Sequence, residues 1–126
     1  MKITVNNYLV LSQLLSKWST EKIPLKLAYK ITKLINETQN ISEFYKTHFQ
    51  SIIEQYSAKD AEGNPIYQDE SSIKIDETKL DECQTAINEL MDLQVDFPDI
   101  KFTLDELDNF TLTVQEMTSL APYIEE

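Results

Sequence analysis

The residues able to do chemistry are few. The chain of 126 residues has one cysteine, Cys83, one histidine, His48, and one glycine, Gly63. A zinc site draws on several cysteines and histidines, and one of each is too few. Cys83 shares the apolar face of a predicted helix with Leu80, Ile87, Leu90 and Met91, a setting in which a thiol is buried and inert. His48 falls between Tyr45 and Phe49 on another helical stretch, as a packed histidine does more often than a general base. One glycine cannot build a phosphate cradle. Asp60-Ala-Glu62-Gly63-Asn64 begins like a calcium loop. Gly63 comes two places early, however, Pro65 stands where the glycine belongs, and Ser71 replaces the bidentate glutamate. The adjacent carboxylates Asp76/Glu77, Asp81/Glu82 and Asp105/Glu106 read as a solvated face. Acid–base catalysis needs two carboxyls held in different environments. The expectation is a protein that binds rather than catalyses, with no metal and no cofactor.

What it could bind with is charge. The net charge is −11. Residues 1–58 hold seven lysines and four acids, and residues 59–126 hold four lysines and eighteen acids. The first half is therefore basic and the second strongly acidic, which predicts two electrostatically different faces. Lys22, Lys26, Lys30 and Lys33 recur at steps of four, four and three, as one helical row does. Asp76, Glu77, Asp81, Glu82, Glu89 and Asp92 run down a later helix. These ten residues are the candidate partner-binding set. For the lysines a solvated face, or pairing with the acidic helix of the same chain, is the favoured account, and for the acids solubility is the plain one. All eleven basic residues are lysine. Arginine is the usual reader of guanine edges and the bidentate clamp for phosphate, so direct nucleic-acid binding is not expected.

These residues need elements to hold them. Lys2–Val5 alternates as a short strand, and Asn6 or Asn7 can cap a helix over 8–18. From Pro24 to Ala58 no proline or glycine intervenes between apolar positions three and four apart, which predicts one long helix. Its weak point is the polar cluster at 36–42. Residues 59–72 read as a polar, mobile linker through the turn at Gly63. Asp76 or Thr78 opens a second helix to about Leu93. Residues 99–104 and 110–113 read as strands, and Thr113 with Glu116 has capping-box spacing before a last helix ended by Pro122. The expected fold is α+β and predominantly helical. A long antiparallel helical hairpin carries a shorter helix and a small sheet at one end, in one domain over 1–126 without internal repeats. On a hairpin, Lys26, Lys30 and Lys33 come within range of Glu89, Asp92 and Asp96. One cysteine permits no internal disulfide, and neither a signal peptide nor a membrane-spanning run is legible.

In its order of segments the chain resembles small acidic proteins of unknown function encoded by phages and prophages of low-GC Gram-positive bacteria. The matching pieces are the Lys-Ile start, Leu25-Lys-Leu-Ala-Tyr29, Tyr56-Ser-Ala-Lys-Asp-Ala-Glu-Gly-Asn64, Ile87-Asn-Glu-Leu-Met-Asp92, Ile100-Lys-Phe-Thr-Leu-Asp-Glu-Leu107, Leu112-Thr and Tyr123-Ile-Glu-Glu126. The resemblance implies a phage accessory protein, in the host cytoplasm or associated with the virion. Such a protein binds another protein in virion or tail assembly, or is a small structural component. The alternative is an acidic nucleic-acid mimic that inhibits a host defence nuclease or another DNA-binding protein. Self-association is open, and no membrane is expected.

Replacing Cys83 with Ala and His48 with Gln is expected to leave biological activity intact in the folded protein, at a stability cost on the order of 1 kcal/mol for the thiol. An assay of the folded double variant that finds activity lost would reinstate a chemical role.

Overall fold

The computed structural model describes residues 1–125. Six helices and one two-stranded sheet make a predominantly helical α+β fold. The chain divides into two compact units. One is Met1–Asn40 with the chain from Gln94 onward, and the other is Ile41–Leu93.

The first unit starts with strand β1 (Lys2–Thr4), which pairs antiparallel with β2 (Gln94–Asp96), Ile3 opposite Val95. Helix α1 (Val5–Trp18) follows without a loop. Thr4, still extended, accepts the Asn7 N–H on its hydroxyl. The cap is therefore Thr4 and not Asn6 or Asn7, because a hydroxyl at the end of a strand already satisfies a free donor of the first turn. Val5, Tyr8, Leu11, Leu14, Leu15 and Trp18 are buried along one side of α1. Helix α2 (Leu25–Glu37) buries Leu27, Ile31 and Leu34.

The expected long helix is broken. α2 ends at Thr38, and α3 (Gln39–Gln55) begins directly after it. Thr38 is buried, and its hydroxyl donates back to the carbonyls of Leu34 and Ile35 at 2.8 and 3.3 Å. Its own carbonyl accepts the Tyr8 hydroxyl at 3.4 Å. Such back-bonding bends a helix, and here the tyrosine holds the carbonyl that the next turn needs. The polar cluster marked the right place, and Thr38 is the residue responsible.

Neither later strand forms as expected. At Thr103 the hydroxyl accepts the Glu106 N–H, and the Glu106 carboxylate accepts the Thr103 N–H. This capping box starts the short α5 (Leu104–Leu107) where a strand was expected. Phe102 keeps one parallel bridge, to Ile124. Phe110 sits in a turn, its N–H donating to the Leu107 carbonyl. The second capping box, Thr113 with Glu116, opens α6 (Val114–Leu120) as its spacing indicated, and Pro122 lies in the 3₁₀ turn that follows.

These turns bring aromatic rings onto Trp18. Phe110 stacks on the indole at 4.2 Å and 7°, and Phe102 meets it edge-on at 5.9 Å. The indole N–H is buried and has no acceptor among the described residues.

In the second unit α3 is followed by a folded-back segment and then by α4 (Leu80–Asp92), which a 3₁₀ turn, Glu77–Lys79, introduces. Ile41, Ser57, Cys83 and Leu90 are its buried residues. Residues 59–72, read from sequence as a linker, carry a definite hydrogen-bond pattern. Ala58 donates to Lys74, Lys74 donates to Ile66 and Ile66 donates to Ala58, each N–H to carbonyl at 2.8 Å. Three passes of the chain thus close a ring of main-chain bonds. Its members are eight residues apart, a period the sequence does not display as a repeat. An aspartate organises the turn beyond each pass. Asp60 accepts from Glu62 and Asn64, Asp69 from Ser71 and Ser72, and Asp76 from Thr78. Gly63 supplies the positive φ of 85° that the first of these turns requires.

Trp18→Ala and Phe110→Ala are each expected to cost about 3–5 kcal/mol. The double variant costs less than their sum, because both remove the same stack. Trp18→Phe costs less than Trp18→Ala, since it keeps an aromatic ring against Phe110 while, like Ala, it removes a buried donor without an acceptor among the described residues. Chemical denaturation of the four variants measures these differences, and additivity within error would show that the stack is not a coupled contact.

Candidate functional site

The structure separates the ten candidate residues by role. Of the lysine row, Lys22 lies before Pro24, the cap of α2, and so is not on the helix that carries the other three. Lys30 turns inward. Its ammonium is 2.9 Å from the Glu106 carboxylate, donates to the Lys101 carbonyl, and sits 5.1 Å above the Phe102 ring centroid. Lys30 is thus a fastener of the first unit. Its partner is Glu106, while Asp96, one of the acids expected to meet it, pairs with Lys2. Lys33 makes a long contact of 3.9 Å with Glu37 on its own helix. Lys26 has no ion pair among the described residues.

The outward face of α2 carries a feature that the lysine row concealed. Leu25 is 84% exposed and Tyr29 is 70% exposed. Lys26, Tyr29 and Lys33 are spaced three and four apart, so the ring stands between two ammonium groups on one helical face. The spacing was legible in the sequence, but the reading followed charge alone and missed Tyr29.

The acidic row is also divided. Asp76 accepts the Thr78 N–H at 3.0 Å and the Thr78 hydroxyl at 2.7 Å, which hold its carboxyl below the ordinary pKa. It is a cap and half-buried. Glu77, Asp81, Glu82, Glu89 and Asp92 are exposed, and none makes an ion pair among the described residues. Asp81, Glu82 and Glu89 line a groove of about 450 Å³ with Tyr56, Thr85 and Ala86. Three carboxylates thus surround a partly apolar floor. Tyr56, at the end of the α3 segment, is a second aromatic that the charge-based reading passed over.

The two residues with intrinsic reactivity sit in different settings. Cys83 is buried, and burial raises its thiol pKa, the opposite of what a nucleophilic thiolate needs. The His48 ring is exposed and stacks on Phe44 at 4.0 Å, with Nδ1 3.0 Å from the Phe44 carbonyl. Among the described residues no three histidine, cysteine or acidic side chains gather as a metal would require, and no helix is long and apolar enough to cross a membrane.

No family model, curated protein or solved structure matches the chain.

The Lys30–Glu106 contact has a definite pH signature. Burial raises the Glu106 carboxyl pKa, but the Thr103 N–H and Lys30 outweigh it, and the net shift is downward. A depressed folded-state pKa gives stability that is complete above the unfolded value, about 4.3, and is lost as pH falls through the folded value. Lys30→Met is expected to cost about 1–2 kcal/mol at neutral pH. Glu106→Gln keeps the capping box and removes the charge. A double-mutant cycle of the two is expected to show coupling at neutral pH that vanishes once Glu106 is protonated. A coupling energy that does not change with pH would rule out the ion pair as its source.

Proposed function

We propose that this protein works by binding another protein, and that it presents the groove of α4 to a basic surface of that partner. The observation that carries the reading is the set of unpaired carboxylates Asp81, Glu82 and Glu89 around Tyr56 and Ala86. An interface needs an apolar centre and a polar rim, and the groove supplies both. Desolvated opposite charges across such a rim set partner choice and speed encounter more than they add affinity. The phage setting, with a role in virion or tail assembly, rests on the resemblance of the quoted sequence segments. It fits a small non-catalytic chain that needs no cofactor.

A fluorescein-labelled lysine-rich helical peptide is the simplest probe of the groove. Anisotropy titration is expected to show binding that weakens about tenfold or more when salt rises from low to above physiological strength. Asp81→Asn, Glu82→Gln and Glu89→Gln together are expected to abolish it, while Lys26→Gln leaves it unchanged. Equal binding by the triple variant would remove the groove from the interface. Duplex DNA that competes for a natural partner once found would identify nucleic-acid mimicry as the mode of action.

A further inference from the structure

The outward face of α2 sets two exposed apolar side chains, Leu25 and Tyr29, among the lysines Lys26 and Lys33. Leu25 and Tyr29 are the large side chains most exposed on this helix. Tyrosine is enriched at protein contacts, and here it stands beside an exposed leucine and between two ammonium groups. The opposite side of α2 already buries Leu27, Ile31 and Leu34, so Tyr29 takes no part in that packing.

We propose that this face docks into the α4 groove of a second copy of the same chain. Three matches point to that occupant. The first is charge, because Lys26 and Lys33 on α2 are opposite in sign to Glu82 and Glu89 on α4. The second is spacing. Lys26 and Lys33 are seven residues apart, as are Glu82 and Glu89, so each pair spans two turns, about 10.5 Å at 1.5 Å per residue. The third is shape. With the helices antiparallel, Lys26 opposite Glu89 and Lys33 opposite Glu82, Tyr29 falls opposite Ala86. The largest side chain of one face then meets the smallest residue lining the groove of the other. A parallel alignment keeps the ion pairs but sets Tyr29 against the β-branched Thr85. The antiparallel register is therefore preferred, and it also aligns the helix dipoles head to tail.

The contact joins two different patches, so two copies can exchange it about a two-fold axis or pass it on to a third. Each copy carries a charge of −11, and the long-range force between copies is repulsive. At physiological salt that repulsion is screened over about 8 Å, while ion pairs in contact persist. The inference rests on the reading of the α4 groove as an interface, and it names a second copy of the chain as an occupant of that groove.

Sedimentation velocity of the intact chain tests it without any other protein. At about 0.15 M salt the average mass is expected to rise above 14.6 kDa as protein approaches roughly 0.1–1 mM, the range of a weak contact. It is expected to return to the monomer value near 1 M salt, where the screening length is about 3 Å. Lys26→Glu with Lys33→Glu, and separately Glu82→Lys with Glu89→Lys, should each abolish association while far-UV circular dichroism stays unchanged. Mixing these two variants restores opposite charges across the contact and is expected to restore association. Tyr29→Ala should weaken it about tenfold or more. A monomer at every concentration overturns the proposal. So does association that survives both charge reversals, or a mixture that stays monomeric. With the anisotropy assay run at protein concentrations where the chain is monomeric, absence of peptide binding together with self-association at higher concentration would refute the external-partner reading alone.

Discussion

The stack of Phe110 on Trp18 is the contact on which the first unit depends. Trp18 is the last residue of α1, and Phe110 lies between two short helices. Phe102 closes on the edge of the same indole and ties its backbone to Tyr123 and Glu125. Lys30 then covers the far aromatic ring from α2. Through Phe102, α2 and the chain around Tyr123 are thus linked to the indole at the end of α1. The unit tolerates a buried N–H without an acceptor among the described residues there, although such a group costs about 1–3 kcal/mol. Packing area outweighs the polar penalty because two rings and the helix side chains are buried together.

Electrostatics is used inside this unit in one repeated form. Thr103 with Glu106 and Thr113 with Glu116 are capping boxes set ten residues apart. Each glutamate also meets a lysine from an earlier helix, Lys30 at 2.9 Å and Lys17 at 3.6 Å. One carboxylate therefore satisfies a helix N-terminus and ties that helix to its neighbour. This arrangement takes Lys30 off the surface and leaves Tyr29 as the outward residue between Lys26 and Lys33. The character of the α2 face is thus a consequence of how the core is fastened.

Much of the fold was legible in residue types. β1, the apolar side of α1, the first residues of α2 and the Thr113 box all follow from spacing and caps. The errors have two causes, a contact from far along the chain at Thr38 and a local cap at Thr103 whose spacing matches that of Thr113. Thr38 ends α2 because its own hydroxyl and a tyrosine thirty positions earlier engage the carbonyls that a continuous helix needs. Thr103 starts a helix in a stretch whose alternation suggests a strand, because Glu106 can reach back to it. Of the site, the acidic row was visible and the groove was not. The groove needs Tyr56 from another element, and no local pattern couples Tyr56 to Glu89. Charge also overstated two members of the set, Asp76 and Lys30, whose partners hold them in structural roles.

The ring of hydrogen bonds joining Ala58, Ile66 and Lys74 has a different implication. Each of these three residues gives its N–H to one neighbour and takes one from the other, so at this level no main-chain group is left open to a foreign strand. The contacts are main chain to main chain, and most side chains along the segment can therefore change without disturbing them. Chain length cannot change so freely. One residue inserted in either turn would swing a donor to the opposite side of its pass and break the ring at two of its three corners. A stretch that looks like spacer by composition is constrained by count, and deletions or insertions there would be tolerated less well than substitutions.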